Sequence, residues 1–181
     1  MWSMSTYHHG HLRAALLKSA SELLEEQGLS ALSIRAVARQ ASVSHNAPYR
    51  HFPDRDSLLA ELAAEGFSLL KKELESRRGR EMGEAYVRFA LAQPQLFRLM
   101  FGATLRHERH PALRDAAHAT YSVLVAAFRG EGTVADPDKA AAAAWSLVHG
   151  LAQLTLDGHF DRDEGFAGKV LSAVRFAQRS A

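Results

Sequence analysis

An all-α fold is predicted by three features of this sequence. Apolar residues recur at three- and four-residue intervals along nearly its whole length, residues that start and stop helices stand between those stretches, and no stretch sustains the two-residue alternation of a strand. The 181 residues, 47% of them apolar, suffice for one globular unit or two small helical ones sharing a boundary.

Leu12, Ala15, Leu16, Ser19 or Ala20, and Leu23 fall at the spacing of a first helix, which Gly28 stops. Ser33 stands just before Ile34, Val37, Ala38 and Ala41, where its hydroxyl can cap a second helix of about two turns. Residues 41–44 interrupt the pattern, a short helix resumes within residues 45–52, and Pro53-Asp54 ends it and caps the next. Leu58, Leu59, Leu62, Ala63, Phe67, Leu69 and Leu70 then carry a long helix to the basic stretch 77–80, where a domain boundary is expected: an N-terminal domain over residues 7–67 and a C-terminal one over residues 80–181.

The second domain reads as helical too. Tyr86, Phe89, Ala90, Phe97, Met100 and Phe101 keep a helical face that Pro94 restarts. Pro111 opens a helix bearing Leu113, Ala116, Ala117, Thr120, Tyr121, Leu124 and Phe128, closed by Gly130. Asp136-Pro137 caps and opens a segment to Leu156, and Phe166, Val170, Ala173, Val174 and Ala177 mark a last helix. The segment 138–156 is apolar nearly all round, with Ala144, Trp145, Val148 and Ala152 on one side and Leu147, Gly150, Leu151 and Leu154 on another, so a partner copy is expected to cover it.

Composition removes several classes of site. With no cysteine, disulfides, thiolate catalysis and zinc sites built on sulfur are excluded. No apolar run reaches the roughly 18 residues a membrane span needs, and the polar start 1–11 has no signal-peptide core, so a cytoplasmic protein is expected. A net charge of +2 is too small to point to nucleic acid by itself; the placement of the charges decides.

That placement is informative within residues 33–52, which read as a helix-turn-helix. Ala38 supplies the small residue where two helices cross, Val37, Ala41 and Val43 can lock their angle, and the Ser33 cap leaves a helix N-terminus suited to a phosphate. From Leu29 to Pro53 there is no acidic residue, while Arg35, Arg39 and Arg50 are basic and His45 and His51 can be. Ser44, His45 and Asn46 open the second helix, where such a geometry faces base edges, and asparagine can pair with adenine. Tyr49, His51 and Arg55 are expected to face the phosphate backbone.

The run 33–52, followed by Asp54-Arg55-Asp56-Ser57-Leu58-Leu59, resembles the DNA-binding domain of the TetR family of transcriptional regulators. Residues 7–13, and Trp145-Ser146-Leu147-Val148-His149-Gly150, are similar to a branch whose C-terminal domain carries a tryptophan-histidine-glycine signature. The resemblance implies a homodimer on a palindromic operator, usually a repressor, released when a small molecule enters the C-terminal domain. Carried over by position, it implies phosphate contacts from Ser33, Tyr49, His51 and Arg55, and places Ser44, His45, Asn46 and Ala47 near bases. Three positions depart from the family: Ser42 stands where the turn usually has glycine, Arg55 where lysine is general, and Pro48 lies inside the recognition element.

Tyr86, Phe89, Phe97, Met100, Phe101, Tyr121 and Trp145, with His118 and His149 as polar anchors, are the candidate contacts to a small, largely apolar effector. At helical spacing such residues are core first, and pocket walls only where the bundle leaves a cavity. Competing readings are weaker. His8, His9 and His11, or His107 and His110, lack a carboxylate or cysteine at metal-ligand spacing, so no metal or other cofactor is expected. Asp157, His159, Asp161, Asp163 and Glu164 read as an acid-base cluster in an all-α enzyme or, more simply, as a solvated loop between Gly158 and Gly165. A protein-interaction adaptor without DNA binding is the third class.

Overall fold

The computed structural model describes residues 9–131, 135–163 and 165–174, with the backbone alone for 9–11 and 131. The segment at Tyr7 and His8, the acid Glu164 and the continuation of the last helix to Ala177 lie outside these residues. Among the described residues there are eight α-helices and no strand.

Helix α1, His9–Gln27, ends where Gly28 takes φ 77°, a left-handed conformation that glycine adopts without steric penalty. Helix α2, Ile34–Gln40, is capped by Ser33, whose Oγ accepts from the Ala36 N–H at 3.2 Å. Its far end closes in a Schellman motif: Val43 N–H donates to Ala38 O at 3.0 Å and Ser42 N–H to Arg39 O at 3.1 Å. The motif requires a left-handed residue between them, and Ser42 occupies it at φ 55°, alone among the described non-glycine residues. Val43, expected with Val37 and Ala41 to lock the angle by packing, is therefore also tied to Ala38 by a backbone hydrogen bond.

The second helix of the pair is shorter and tighter than the sequence predicts. Residues 45–47 form a turn, and only Pro48–Arg50 is helical, as a 3₁₀ element. Proline is the reason: an α-helical Pro48 would need an N–H to reach Ser44 O, and that carbonyl is instead taken by Ala47 N–H at 3.0 Å. His51 and Phe52 N–H both donate to Pro48 O at 2.9 Å, which closes the element. Pro48 and Phe52 are buried beneath it.

Helix α3, Arg55–Glu75, is capped by Asp54, whose Oδ1 accepts from Ser57 N–H at 2.7 Å; this bonding holds the Asp54 carboxyl below the usual carboxylate range. It ends just before the expected boundary at 77–80 yet packs against helices of both parts: α1, α4 (Gly79–Ala92), α5 (Pro94–Phe101) and α6 (Pro111–Glu131). Leu69, read from the sequence as part of its buried stripe, is 39% exposed. Helices α7 (Pro137–Leu156) and α8 (Phe166–Ser172) lie on α4, with α7 also on α6. Asp136 caps α7 by accepting from Lys139 N–H at 3.1 Å, with Pro137 in the first turn. Leu151 is inside the core at 4% exposure, whereas Leu154 is 41% exposed, so the two do not share an uncovered face.

The strained Ser42 gives a direct expectation. Ser42→Gly should raise stability by roughly 1 kcal/mol, or about 2–4 °C in Tm, because glycine tolerates the left-handed region. A thermal melt followed by circular dichroism measures it, and an unchanged or lower Tm would refute the assignment of strain to that residue.

Candidate functional site

The residues singled out for DNA occupy one end of the molecule. Arg35, Arg39, Ser44, His45, Asn46 and Arg50 are all exposed, Tyr49 is 46% exposed and Ala47 is half-buried. Ser33 presents the N-terminus of α2 on the same segment, and its side chain satisfies one of the free amides. The tight turn at 45–47 carries His45 and Asn46 outward while Pro48 and Phe52 anchor it from below. A row of exposed cations and hydrogen-bonding groups with no carboxylate among them is what a nucleic-acid surface requires.

Two residues expected at phosphates are placed differently from the others. The Arg55 guanidinium is half-buried, with Nε donating to Leu32 O and an Nη to Leu29 O, both at 2.7 Å. It thereby ties the loop between α1 and α2 to the start of α3. His51 is half-buried against Phe52, and its Nε2 is enclosed with no hydrogen-bond partner among the described residues.

The second feature is a cavity of about 230 Å³ between α4, α6, α7 and α8. Its walls include Met82, Leu124, Ala127, Phe128, Val148 and Leu171, with Tyr86 and Trp145 on its floor and Arg80 at its edge. Tyr86 is buried, and its hydroxyl oxygen accepts from Trp145 Nε1 at 3.2 Å. The same hydroxyl is hydrogen-bonded to His149 Nδ1 at 3.0 Å. Burial pushes the Tyr86 phenol well above the usual tyrosine range and His149 below the usual histidine range, so both are neutral at pH 7. Phe97 and Phe101 stack on His149 with centroids 5.3 and 4.7 Å away, and Tyr121 stacks on Trp145 at 4.9 Å.

Of the nine candidate effector contacts, the structure therefore brings Tyr86 and Trp145 to the cavity, with Tyr121, His149, Phe97 and Phe101 as a layer of rings against them. It does not bring Phe89 or Met100, which are buried in the core away from the lining, and His118 is exposed on α6. Gly83, Ala127, Val148 and Leu171 were not legible as lining, because an apolar residue at helical spacing gives no sign of whether another side chain or a void lies opposite. The small pair Gly79 and Gly83, one turn apart on α4, was the available signal.

Residues 16–62 match the bacterial regulatory proteins of the tetR family, and residues 80–172 match the tetracyclin repressor-like C-terminal domain. The chain belongs to the tetR family. A solved structure of a protein with unknown function from Rhodococcus sp. RHA1 is 35% identical, with 93% of this chain and 94% of that one aligned at a TM-score of 0.79. An HTH-type transcriptional regulator of Haemophilus influenzae is 29% identical over 147 residues, 67% of this chain and 72% of its own. The HTH-type transcriptional repressor Rv3405c of Mycobacterium tuberculosis is 41% identical over 46 residues, which is 25% of this chain and 24% of the repressor.

The tetR family consists of transcriptional regulators and not enzymes, which removes the acid-base reading of residues 157–164. The geometry agrees with its removal: Asp157 is held by Gln153 Nε2 at 2.8 Å and Arg98 at 3.2 Å, and these bonds lower its pKa, while Asp163 accepts from Gly165 N–H at 3.2 Å. These carboxylates fasten the loop after α7 to its surroundings. No helix among the described residues is long and apolar enough to cross a membrane.

Arg55 can be separated from its neighbours experimentally. Arg55→Ala frees two half-buried loop carbonyls from a charged donor, so it should destabilise the protein by about 2 kcal/mol with no DNA present. Urea denaturation of the free protein measures this; an unchanged midpoint would show that the bonds carry no net stability.

Proposed function

We propose that this tetR-family protein is a homodimeric transcriptional repressor that binds a palindromic operator and releases it when a small, largely apolar molecule occupies the C-terminal cavity. The observation that carries the DNA half is the exposed, acid-free surface from Ser33 to Arg50, in which a short anchored turn offers His45 and Asn46 to base edges while Arg35 and Arg50 flank them. Ser44 and Ala47 complete the base-facing turn, and Tyr49 stands beside it for a phosphate. His51 is half-buried with its Nε2 enclosed, so its phosphate contact would fall to Nδ1 or require the ring to turn, and Arg55 acts chiefly by fixing the loop that carries Ser33.

Dimerisation through α7 and α8 is supported by what those helices leave uncovered. Ala142, Ala143, Ser146 and Leu154 are exposed along α7, and Val174 beyond α8 is 39% exposed, a smooth surface of small and apolar groups. A two-fold pairing there would set two recognition turns one DNA turn apart, roughly 34–36 Å, or a multiple of it.

Two measurements test the proposal. In mobility-shift titrations with the DNA upstream of its own gene, the protein should bind specifically. Asn46→Ala should weaken that binding by about 1–3 kcal/mol at one base pair, and Arg50→Ala should weaken all sequences alike and lower the salt slope by about one. Binding indifferent to salt and to both substitutions would end the DNA reading. In sedimentation, the native chain should be a dimer and Leu154→Lys a folded monomer. A charge at Leu151 would be uninformative, because that residue is interior. A dimeric Leu154→Lys would move the interface elsewhere.

A further inference from the structure

We infer that the cavity selects an uncharged ligand of one to two rings and discriminates against both anions and organic cations. This rests on the reading that the cavity is where the effector enters, and it deepens that reading by assigning a chemical class. Size sets the first limit: a cavity of roughly 150 Å³ holds benzene, so about 230 Å³ fits a fused bicyclic ring system or a compact aliphatic body of similar bulk.

Hydrogen-bond accounting sets the second. The polar groups on the inner wall are already used: Thr120 shares its hydroxyl proton between Phe67 O at 2.9 Å and Ala116 O at 2.8 Å, Trp145 Nε1–H is given to Tyr86, and the Tyr86 hydroxyl is paired with His149 Nδ1. On the inner wall a ligand acceptor, whether carbonyl or carboxylate, therefore meets no side-chain donor without a partner; the amides that open α4 at Gly79 and Arg80, which no side chain caps, lie on exposed residues. Beyond Trp145 and His149 the Tyr86 hydroxyl keeps one hydrogen-bonding capacity, which suits a single ligand hydroxyl, able to donate or accept. No aspartate or glutamate is among the described lining residues, so a cationic ligand has no counter-charge within. Arg80, the charged lining residue, stands at the edge in an ion pair with Glu84 at 3.1 Å, so a head group reaching the mouth finds a pair whose charges cancel. Desolvating either kind of charge without a partner is the penalty that separates the classes.

The test uses four probes of one shape: naphthalene, 1-naphthol, 1-naphthoate and 1-naphthylmethylammonium. Binding is read from Trp145 fluorescence in a Trp2→Phe chain, since the sequence holds two tryptophans, and independently from thermal shift. Naphthalene and 1-naphthol should bind, with 1-naphthol the tighter, and both charged probes should be weaker by about tenfold or more. Ala127→Phe, and separately Leu124→Phe in case the first disturbs folding, should abolish binding of the neutral probes while the far-ultraviolet spectrum is kept. Charged probes binding as tightly as 1-naphthol, no binding of any probe to the folded protein, or binding that survives both fillings would each overturn the inference. Operator affinity is measured beside it in a mobility shift: neutral probes that bind selectively yet leave operator affinity unchanged would uphold the ligand class and overturn the release reading instead.

Discussion

A Cβ placed at position 66 would stand 2.7 Å from Met100 Sδ and 3.1 Å from the Leu96 side chain, both of which are buried, so something there would have to shift. Helices α3 and α5 lie as close as they do because Gly66 has no side chain, and much of the molecule depends on that approach. One residue further, Phe67 packs edge-on against Phe101 at 5.1 Å, and its carbonyl accepts the Thr120 hydroxyl of α6. Two helices of the C-terminal part, α5 and α6, are thus fixed to one point on α3. The other end of the same helix carries the Asp54 cap and the Arg55 fork that set the DNA-facing loop.

The two functional regions are joined a second way. Glu25 of α1 caps the N-terminus of α5, its two oxygens accepting from Gln95 N–H at 3.2 Å and Leu96 N–H at 2.8 Å. A carboxylate at a helix N-terminus is favourable both as a hydrogen-bond acceptor and toward the helix dipole. Helix α5 is therefore held at its start by the DNA-binding part and at its end by Phe97 and Phe101 against the His149–Tyr86 pair beside the cavity. Any rearrangement of Tyr86 or Trp145 must move these rings or break their stacking, and α5 cannot shift without pressing on Gly66 or straining the Glu25 cap. The cavity region and the DNA-binding part are thus joined through α5 by these contacts and through α6 by the Thr120 bond to Phe67 O.

Much of this was legible in the sequence because it depends on local chemistry. Ser33, Asp54 and Asp136 cap the helices they precede, Pro94, Pro111 and Pro137 open theirs, and Gly28 stops α1. What was not legible depends on groups distant in the chain. Arg55 follows a helix cap like any surface cation, and only the loop carbonyls 23 and 26 residues earlier turn it into a fastening. His118 sits at an apolar spacing on α6 yet faces solvent, whereas Thr120 two positions on is buried by its bond to Phe67. Met100 and Phe89 share the aromatic and apolar character of Tyr86 and Trp145, but their faces meet other side chains where the latter meet a void. That distinction is made by the gap between α4, α6 and α7, which no single helix encodes.

The recognition element shows the same division at its sharpest. Helix propensity does not hold residues 45–50 in shape, since Pro48 removes a donor and the backbone closes mostly through three-residue bonds, which are weaker in geometry than those of an α-helix. Its shape is imposed from outside: by the Ser42 turn before it, by Pro48 and Phe52 buried beneath it, and by the Asp54 cap after it. A segment so constrained presents Ser44, His45 and Asn46 at a fixed distance from the core while leaving their side chains unpacked and exposed. Its position on DNA then follows that of α3 and of the loop bound by Arg55 rather than any stability of its own. A displacement delivered through α3 would move the whole exposed turn as one body, because nothing within the turn is strong enough to hold it elsewhere.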